Sequence, residues 1–169
     1  AVLAMMQSGD QSTRDRAFTA NDRHYQFLIS ELLPFVQTEY RVDPLKIGIG
    51  GVGMGAVAAA HAALKNPAVF GRLILLSPPL GDGKSADELR QIVRRFDDAD
   101  QLPKRIFHSV GRYEGAARFR RPSRELRDIL NRRTGETAYK YVEIGSGHSL
   151  VAFRSILPEA LAWTIPPEA

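Results

Sequence analysis

The chain has 169 residues, of which 44% are hydrophobic and 25% charged, a size and composition that suit one globular unit with its own core. It contains no cysteine, which excludes disulfides, thiol nucleophiles and cysteine-ligated metals and leaves the compartment open, with a cytoplasmic one as the default. The net charge of +4 comes from 23 basic and 19 acidic residues mixed along the chain, which reads as a solvated surface rather than a nucleic-acid footprint and only weakly favours anionic partners.

In chain order, residues 1–6 (AVLAMM) are apolar, far too short for a signal core or a membrane span, and suit a buried strand. Because the sequence opens inside this run and without Met, a longer polypeptide is expected. Residues 7–13 are polar and turn-like. From Asn21 to about Tyr40, the apolar residues Tyr25, Leu28, Leu32, Phe35 and Val36 recur at helical spacing, with Pro34 expected to kink or restart the helix. A strand over 46–50 runs into a glycine-packed turn and a small-residue helix over 55–65, which Asn66-Pro67 ends. A second strand over 72–76 stops at Ser77-Pro78-Pro79.

Ser85-Ala-Asp-Glu88 is a capping box opening a helix over 85–96. A strand over 105–110, a helix over 119–133 closed by Gly135, a strand over 139–144 and a helix over 150–163 complete the pattern. The alternation predicts an α/β fold, a five-stranded, mostly parallel sheet with helices on both faces. Residues 1–169 read as a single domain, with no repeat or linker.

The chemistry concentrates at Gly51-Val52-Gly53-Met54-Gly55, which follows a strand and opens a helix. That is the layout of a G-x-S-x-G nucleophile elbow, with Gly53 where the serine belongs. Small residues are needed there because the strand-to-helix turn is tight and strained, and glycine tolerates the tip conformation. The Met54 amide, just past the tip, would be an oxyanion donor. Such sites run nucleophile, acid, histidine in chain order. Glu114 lies four residues beyond the strand ending at Val110, and His148 four beyond the strand ending at Ile144. Both fall on carboxyl-end loops, where sites of parallel sheets collect; Asp82 is the reserve acid.

Plainer roles compete. A loop glutamate is usually solvated, and a histidine before a helix can merely cap it; for His148 the order, the spacing and the flanking glycines favour a site. His24, His61 and His108 read as structural or surface residues. The four histidines lack ligand spacing, so neither a metal nor a cofactor is expected. Arg112, Arg118, Arg120, Arg121, Arg124 and Arg127 read by default as a solvated face, or else as a rim for an anionic ligand. Gly48-Ile-Gly50-Gly-Val-Gly53 also satisfies G-x-G-x-x-G. A dinucleotide site is the weaker reading, because it leaves a strand of only 45–47 and no acidic residue after the next strand.

Several segments together resemble one family. Arg14-Asp-Arg-Ala-Phe18 and Phe27-Leu-Ile-Ser-Glu-Leu-Leu-Pro-Phe-Val36, the elbow Ile49-Gly-Gly-Val-Gly-Met-Gly55, Asn66-Pro-Ala-Val-Phe-Gly71, Leu76-Ser-Pro78, Gly111-Arg-Tyr-Glu114, Gly147-His-Ser-Leu-Val-Ala-Phe-Arg154 and Leu157-Pro-Glu-Ala-Leu161 are similar, in this order, to motifs of the enterochelin-esterase-like putative esterases. The resemblance implies an α/β-hydrolase fold and carboxylic-ester hydrolysis, the substrate of siderophore-handling members being a catecholate trilactone. It carries the acid–histidine pair onto Glu114 and His148 and the oxyanion amide onto Met54.

Three departures stand out. Gly53 replaces the serine, Ala17 stands where members usually have glutamate, and the family's earlier strands, one of which carries the second oxyanion donor, are missing together with its substrate-binding front. The expectation is therefore the C-terminal larger part of an ester-hydrolase domain, impaired at Gly53, with a small-molecule ester or anionic ligand as partner. No nucleic-acid or membrane partner is expected, and the oligomeric state is open. A non-catalytic binding protein on the same fold is the alternative.

Overall fold

The computed structural model describes residues 2–6, 9–81, 86–133 and 135–166. Its sheet has four parallel strands, β1 (Gly48–Val52), β2 (Arg72–Leu76), β3 (Arg105–Gly111) and β4 (Ala138–Ile144), laid side by side in chain order. The register sets Gly50 opposite Ile74, Ile74 opposite Phe107 and Phe107 opposite Lys140. Parallel neighbours need a crossover, and helices supply each one: α4 (Met54–Lys65), α5 (Ala86–Asp98) and α6 (Arg121–Arg132). The chain begins with α1 (Gln11–Phe18), α2 (Asp22–Phe27) and α3 (Leu33–Glu39) and closes with α7 (Leu150–Thr164).

Side-chain alternation along β2 and β3 divides the core in two. Leu73, Leu75 and Ile106 point to one face, where they meet Val57 of α4, Leu89, Ile92, Val93 and Phe96 of α5, and Leu126, Ile129 and Leu130 of α6. Ile74, Leu76 and Phe107 point to the other face and meet Phe153, Ile156 and Ala160 of α7. The apolar residues of α5 and α6 recur at i, i+3, i+4, the stripe that an amphipathic helix buries. Helix α4 is different: residues 56–63 are all buried, and six of the eight are alanine. It lies between the sheet and the α1–α2 pair, and small side chains let it be covered on both sides.

Buried polar groups on this scaffold are mostly paired. His61 of α4 accepts from Arg95 Nη1 of α5 at its Nδ1 (2.7 Å), which leaves Nε2 to donate to Asp22 Oδ1 of α2 (2.8 Å). Lys65 reaches the same carboxylate at 2.7 Å. Desolvation is the main reason the His61 pKa lies below its ordinary value, and the Lys65 and His61 hydrogen bonds lower that of Asp22.

Three expectations need correction, and the break expected at Pro34 is present. Val2–Met6 does not form a strand: these residues are unpaired and exposed, lying beside Leu32, Phe35, Val36 and Tyr40. Apolar character suits a strand, but a strand also needs a ladder partner, and none among the described residues offers one. The described sheet accordingly has four strands rather than five. Within the turn expected at 7–13, residues 11–13 instead open α1, because the Asp10 side chain accepts from Thr13 N (2.8 Å) and caps a helix there. The helix over 21–40 is interrupted by a π turn, Leu28–Leu32, in which Leu33 N–H reaches Leu28 O. Pro34 lacks the N–H for an ordinary turn and its ring would clash with the preceding carbonyls, so the helix widens just before it. The same device recurs at Ala116–Arg120, ahead of Pro122. The reserve acid Asp82 and the capping serine Ser85 lie outside the described residues.

His108 of β3 is fully buried. Its Nδ1 lies 3.1 Å from the Tyr139 hydroxyl and its ring meets Tyr141 edge-on at 5.0 Å. Burial pushes its pKa down to about 3, so the unfolded chain binds the proton first. Stability is then complete above the ordinary histidine pKa and falls with decreasing pH between about 6.5 and 3, at up to about 1.4 kcal/mol per pH unit. Urea unfolding at stepped pH should show this slope, and His108→Gln should flatten it.

Candidate active site

The β1–α4 connection reverses the chain at a single residue. Gly53 has φ +57° and ψ −123°, a conformation that costs any other residue strain. Its N–H donates to Leu76 O (2.9 Å) and its carbonyl accepts from Ala56 N (3.0 Å), which ties the tip to the end of β2 and to the first turn of α4. No side chain caps that turn, so the N–H groups at Met54 and beyond carry the positive end of a twelve-residue helix toward the tip. A Cβ on Gly51 would run into the Gly55 carbonyl and Ala56 N, whereas one on Gly55 would meet nothing within 4 Å. Of the two flanking glycines, only the first is required by packing.

The loops after β3 and β4 are joined by their backbones. Arg112 N donates to Ile144 O (2.9 Å) and Tyr113 N to Ser146 O (3.1 Å). The approach is close enough that a Cβ on Gly111 would overlap Ser146 O and lie 3.1 Å from Glu114 Cγ. Glu114 N then folds back to Gly111 O (3.2 Å), and Arg120 Nε holds Glu114 O at 2.9 Å. The result is a Glu114 side chain with 0% exposure whose Oε1 lies 3.4 Å from His148 Nδ1. His148 is 42% exposed on its side chain. Its ring is held between Phe119 (4.7 Å, tilted) and Phe153 (4.9 Å, edge-on).

On its far side the imidazole faces the elbow. A Cβ at position 53 would lie 3.8 Å from His148 Nε2 and 3.9 Å from Cε1. The structure thus brings Gly53, His148 and Glu114 together, with Met54 at the same tip. The serines flanking His148 are placed otherwise: Ser149 caps α7 by accepting from Ala152 N (3.3 Å), and Ser146 Oγ is buried without a partner among the described residues.

One residue of the site was not expected. Ser77, read as a strand stop and as part of a family-like Leu76-Ser-Pro78 segment but given no role, donates from Oγ to Glu114 Oε1 at 2.7 Å and is 1% exposed. It adopts φ +49°, unusual for a residue with a side chain. Its N–H is fixed to Ser109 O (2.8 Å). Glu114 Oε2 has no partner among the described residues, so Ser77 is the acid's principal hydrogen-bond donor. The two phenylalanines around His148 were likewise invisible as site residues, since nothing local distinguishes them from core.

The arginine stretch is largely structural. Arg124 grips Glu143 with two bonds (2.8 and 2.9 Å) and holds that carboxyl down at about 2. Arg120 binds the acid loop, and Arg127 pairs with Asp128 (2.7 Å) and lies over Tyr141. Arg118 lies over Phe119 (5.5 Å), at the mouth of the site. The G-x-G-x-x-G match does not form a phosphate loop. Gly48 and Gly50 sit within the ladder opposite Arg72 and Ile74, and a Cβ on Gly50 would be 2.9 Å from that of Ile74. Among the described residues, no group of three or more histidine or carboxylate side chains could hold a metal, and no helix is long and apolar enough to cross a membrane.

A four-stranded parallel sheet with helices on both faces and an elbow at the end of its first strand defines the α/β-hydrolase fold. The family described as "Putative esterase" matches residues 1–164, and the chain belongs to it. A curated relative, the uncharacterized protein YjcH of Bacillus subtilis, is 26% identical over 148 residues, 80% of this chain and 57% of its own length. The enterobactin esterase FES of Shigella flexneri, solved in the presence of enterobactin, superposes with a TM-score of 0.77 at 19% identity, covering 90% of this chain and 39% of that one. The BES protein of Bacillus cereus gives 0.70 at 18% identity, with 95% and 66% covered. The chain spans a little over half the length of the curated relative it matches.

Two outcomes test this geometry. Gly51→Ala should lower stability by more than about 2 kcal/mol through backbone overlap, while Gly55→Ala should be neutral or gain up to about 1 kcal/mol of helix propensity; urea melts of the two variants compare them. Ser77→Ala, which strips a buried carboxylate of its donor, should cost about 1–3 kcal/mol in the same assay.

Proposed function

We propose that this chain carries an ester-hydrolase site for a small-molecule ester in which Glu114 orients His148, His148 is the general base, the Met54 amide faces the developing oxyanion, and Gly53 holds the nucleophile position without a nucleophile. The observation that carries the reading is the 3.8 Å between His148 Nε2 and the place of a Cβ on Gly53. A serine hydroxyl there would come within hydrogen-bond reach of the imidazole, the arrangement that nucleophilic catalysis requires. Family membership supports the reaction class. With glycine, no acyl-enzyme can form through residue 53, and turnover by the usual two-step route is lost.

The alternative, a binding protein that keeps the cleft, draws on the same glycine, since a pure binding site has no need of the hydroxyl. One substitution separates the two. Gly53→Ser should raise p-nitrophenyl acetate hydrolysis by at least about 10³-fold, and it should become labelled by a fluorophosphonate at residue 53. The strained tip should make this variant about 1–3 kcal/mol less stable than the native chain. A folded Gly53→Ser protein without hydrolysis or labelling would favour the binding reading.

A further inference from the structure

Resting on that reading, we infer that the native chain hydrolyses esters in one step, with His148 deprotonating a water that attacks the ester at the Gly53 tip.

Three observations meet at this point. A water hydrogen-bonded to His148 Nε2 at the usual distance of about 2.8 Å fits beside the place of a Cβ on Gly53, displaced from where a covalently held serine oxygen would sit so as to clear Gly53 Cα. Gly53 itself is buried, but a Cβ there would have only His148 within 4 Å, and that side chain is 42% exposed, which gives water a way in from the histidine side. The base is also already oriented. Glu114 stands 3.4 Å from Nδ1, which favours the proton there and leaves Nε2, the ring nitrogen nearer the tip, free to accept one. Phe119 and Phe153 hold the ring in that attitude. Water at this position would meet an ester carbonyl whose oxygen faces the uncapped first turn of α4.

The step balances without any other reactant. A lone pair of the water oxygen forms a bond to the carbonyl carbon, one water proton passes to His148 Nε2, and the carbonyl π pair moves onto the oxygen facing Met54 N–H. On collapse the C=O bond re-forms and the bond to the leaving oxygen breaks. That oxygen takes the proton from His148, giving alcohol and carboxylic acid and returning the neutral imidazole. General-base assistance of this kind contributes about 10²–10⁴-fold, well short of a complete serine site but measurable.

The test follows p-nitrophenyl acetate with the native chain, with His148→Gln and with Gly53→Ser, each checked for folding by its urea melt. The expected result is hydrolysis by the native chain that is linear from the first turnover, leaves no acetylated protein in acid-quenched samples by mass spectrometry, and drops about 10²-fold in His148→Gln. Gly53→Ser should instead accumulate an acetylated species. If Gly53→Ser is active while the native chain is no faster than His148→Gln, the one-step route is wrong and the reading of the site stands. Acetylated His148 in the native chain would replace water attack by attack of the imidazole and overturn the inference. If no variant hydrolyses the ester, the site reading itself falls.

Discussion

The contact between Gly51 and the Gly55 carbonyl governs how everything else at the sheet's carboxyl edge can be arranged. Because residue 51 has no side chain, the first turn of α4 can fold directly back onto the strand it leaves, and the reversal is completed by one residue in a left-handed conformation. That places the helix N-terminus at the end of β1 instead of several ångströms beyond it. It also lets the Gly53 amide bond the end of β2, so that tip and sheet edge move as one unit. Loosening this approach would set the tip at a different distance from His148, and 3.8 Å would lose its meaning.

The opposite wall of the site depends on a different economy. Two loops that follow adjacent strands share backbone hydrogen bonds, and glycine at 111 lets them pack without a gap. Glu114 is sealed inside this junction with Ser77 as its donor, while His148 stands outside it, half in solvent and braced by aromatic rings. Of this pair, the carboxylate is closed off from solvent and the imidazole is the member that meets it. The division holds whichever species, water or hydroxyl, occupies the space at Gly53.

What could be read in the sequence was what local pattern encodes. The elbow was legible because its glycines sit at fixed intervals between a strand and a helix, and His148 because chain order and strand spacing both pointed to it. Ser77 stood in a family-like segment, but its partner was not legible: the contact depends on a side chain 37 positions away, and locally the residue looks like punctuation before two prolines. Residues 2–6 misled because apolar character is shared by strands and by segments that lie on a helix, and only a ladder partner decides between them. Helix α1 was missed because it buries no residue fully and so leaves no apolar periodicity to find. The arginines read by default as a solvated face, with a ligand rim as the alternative, and pattern alone could not show that Arg120, Arg124 and Arg127 are engaged by their own chain.

Helix α7 begins two residues after His148, and at its far end Arg105 grips the Trp163 carbonyl through two nitrogens (2.8 and 3.1 Å) while stacking over the indole at 4.5 Å. Fifteen residues of helix span about 22 Å at 1.5 Å per residue. The helix therefore acts as a strut with one end pinned at the foot of the sheet and the His148 loop carried on the other. The attitude of the imidazole is set partly from the start of β3, so a lesion at Arg105 or Trp163 would shift the ring without touching any atom of the cleft.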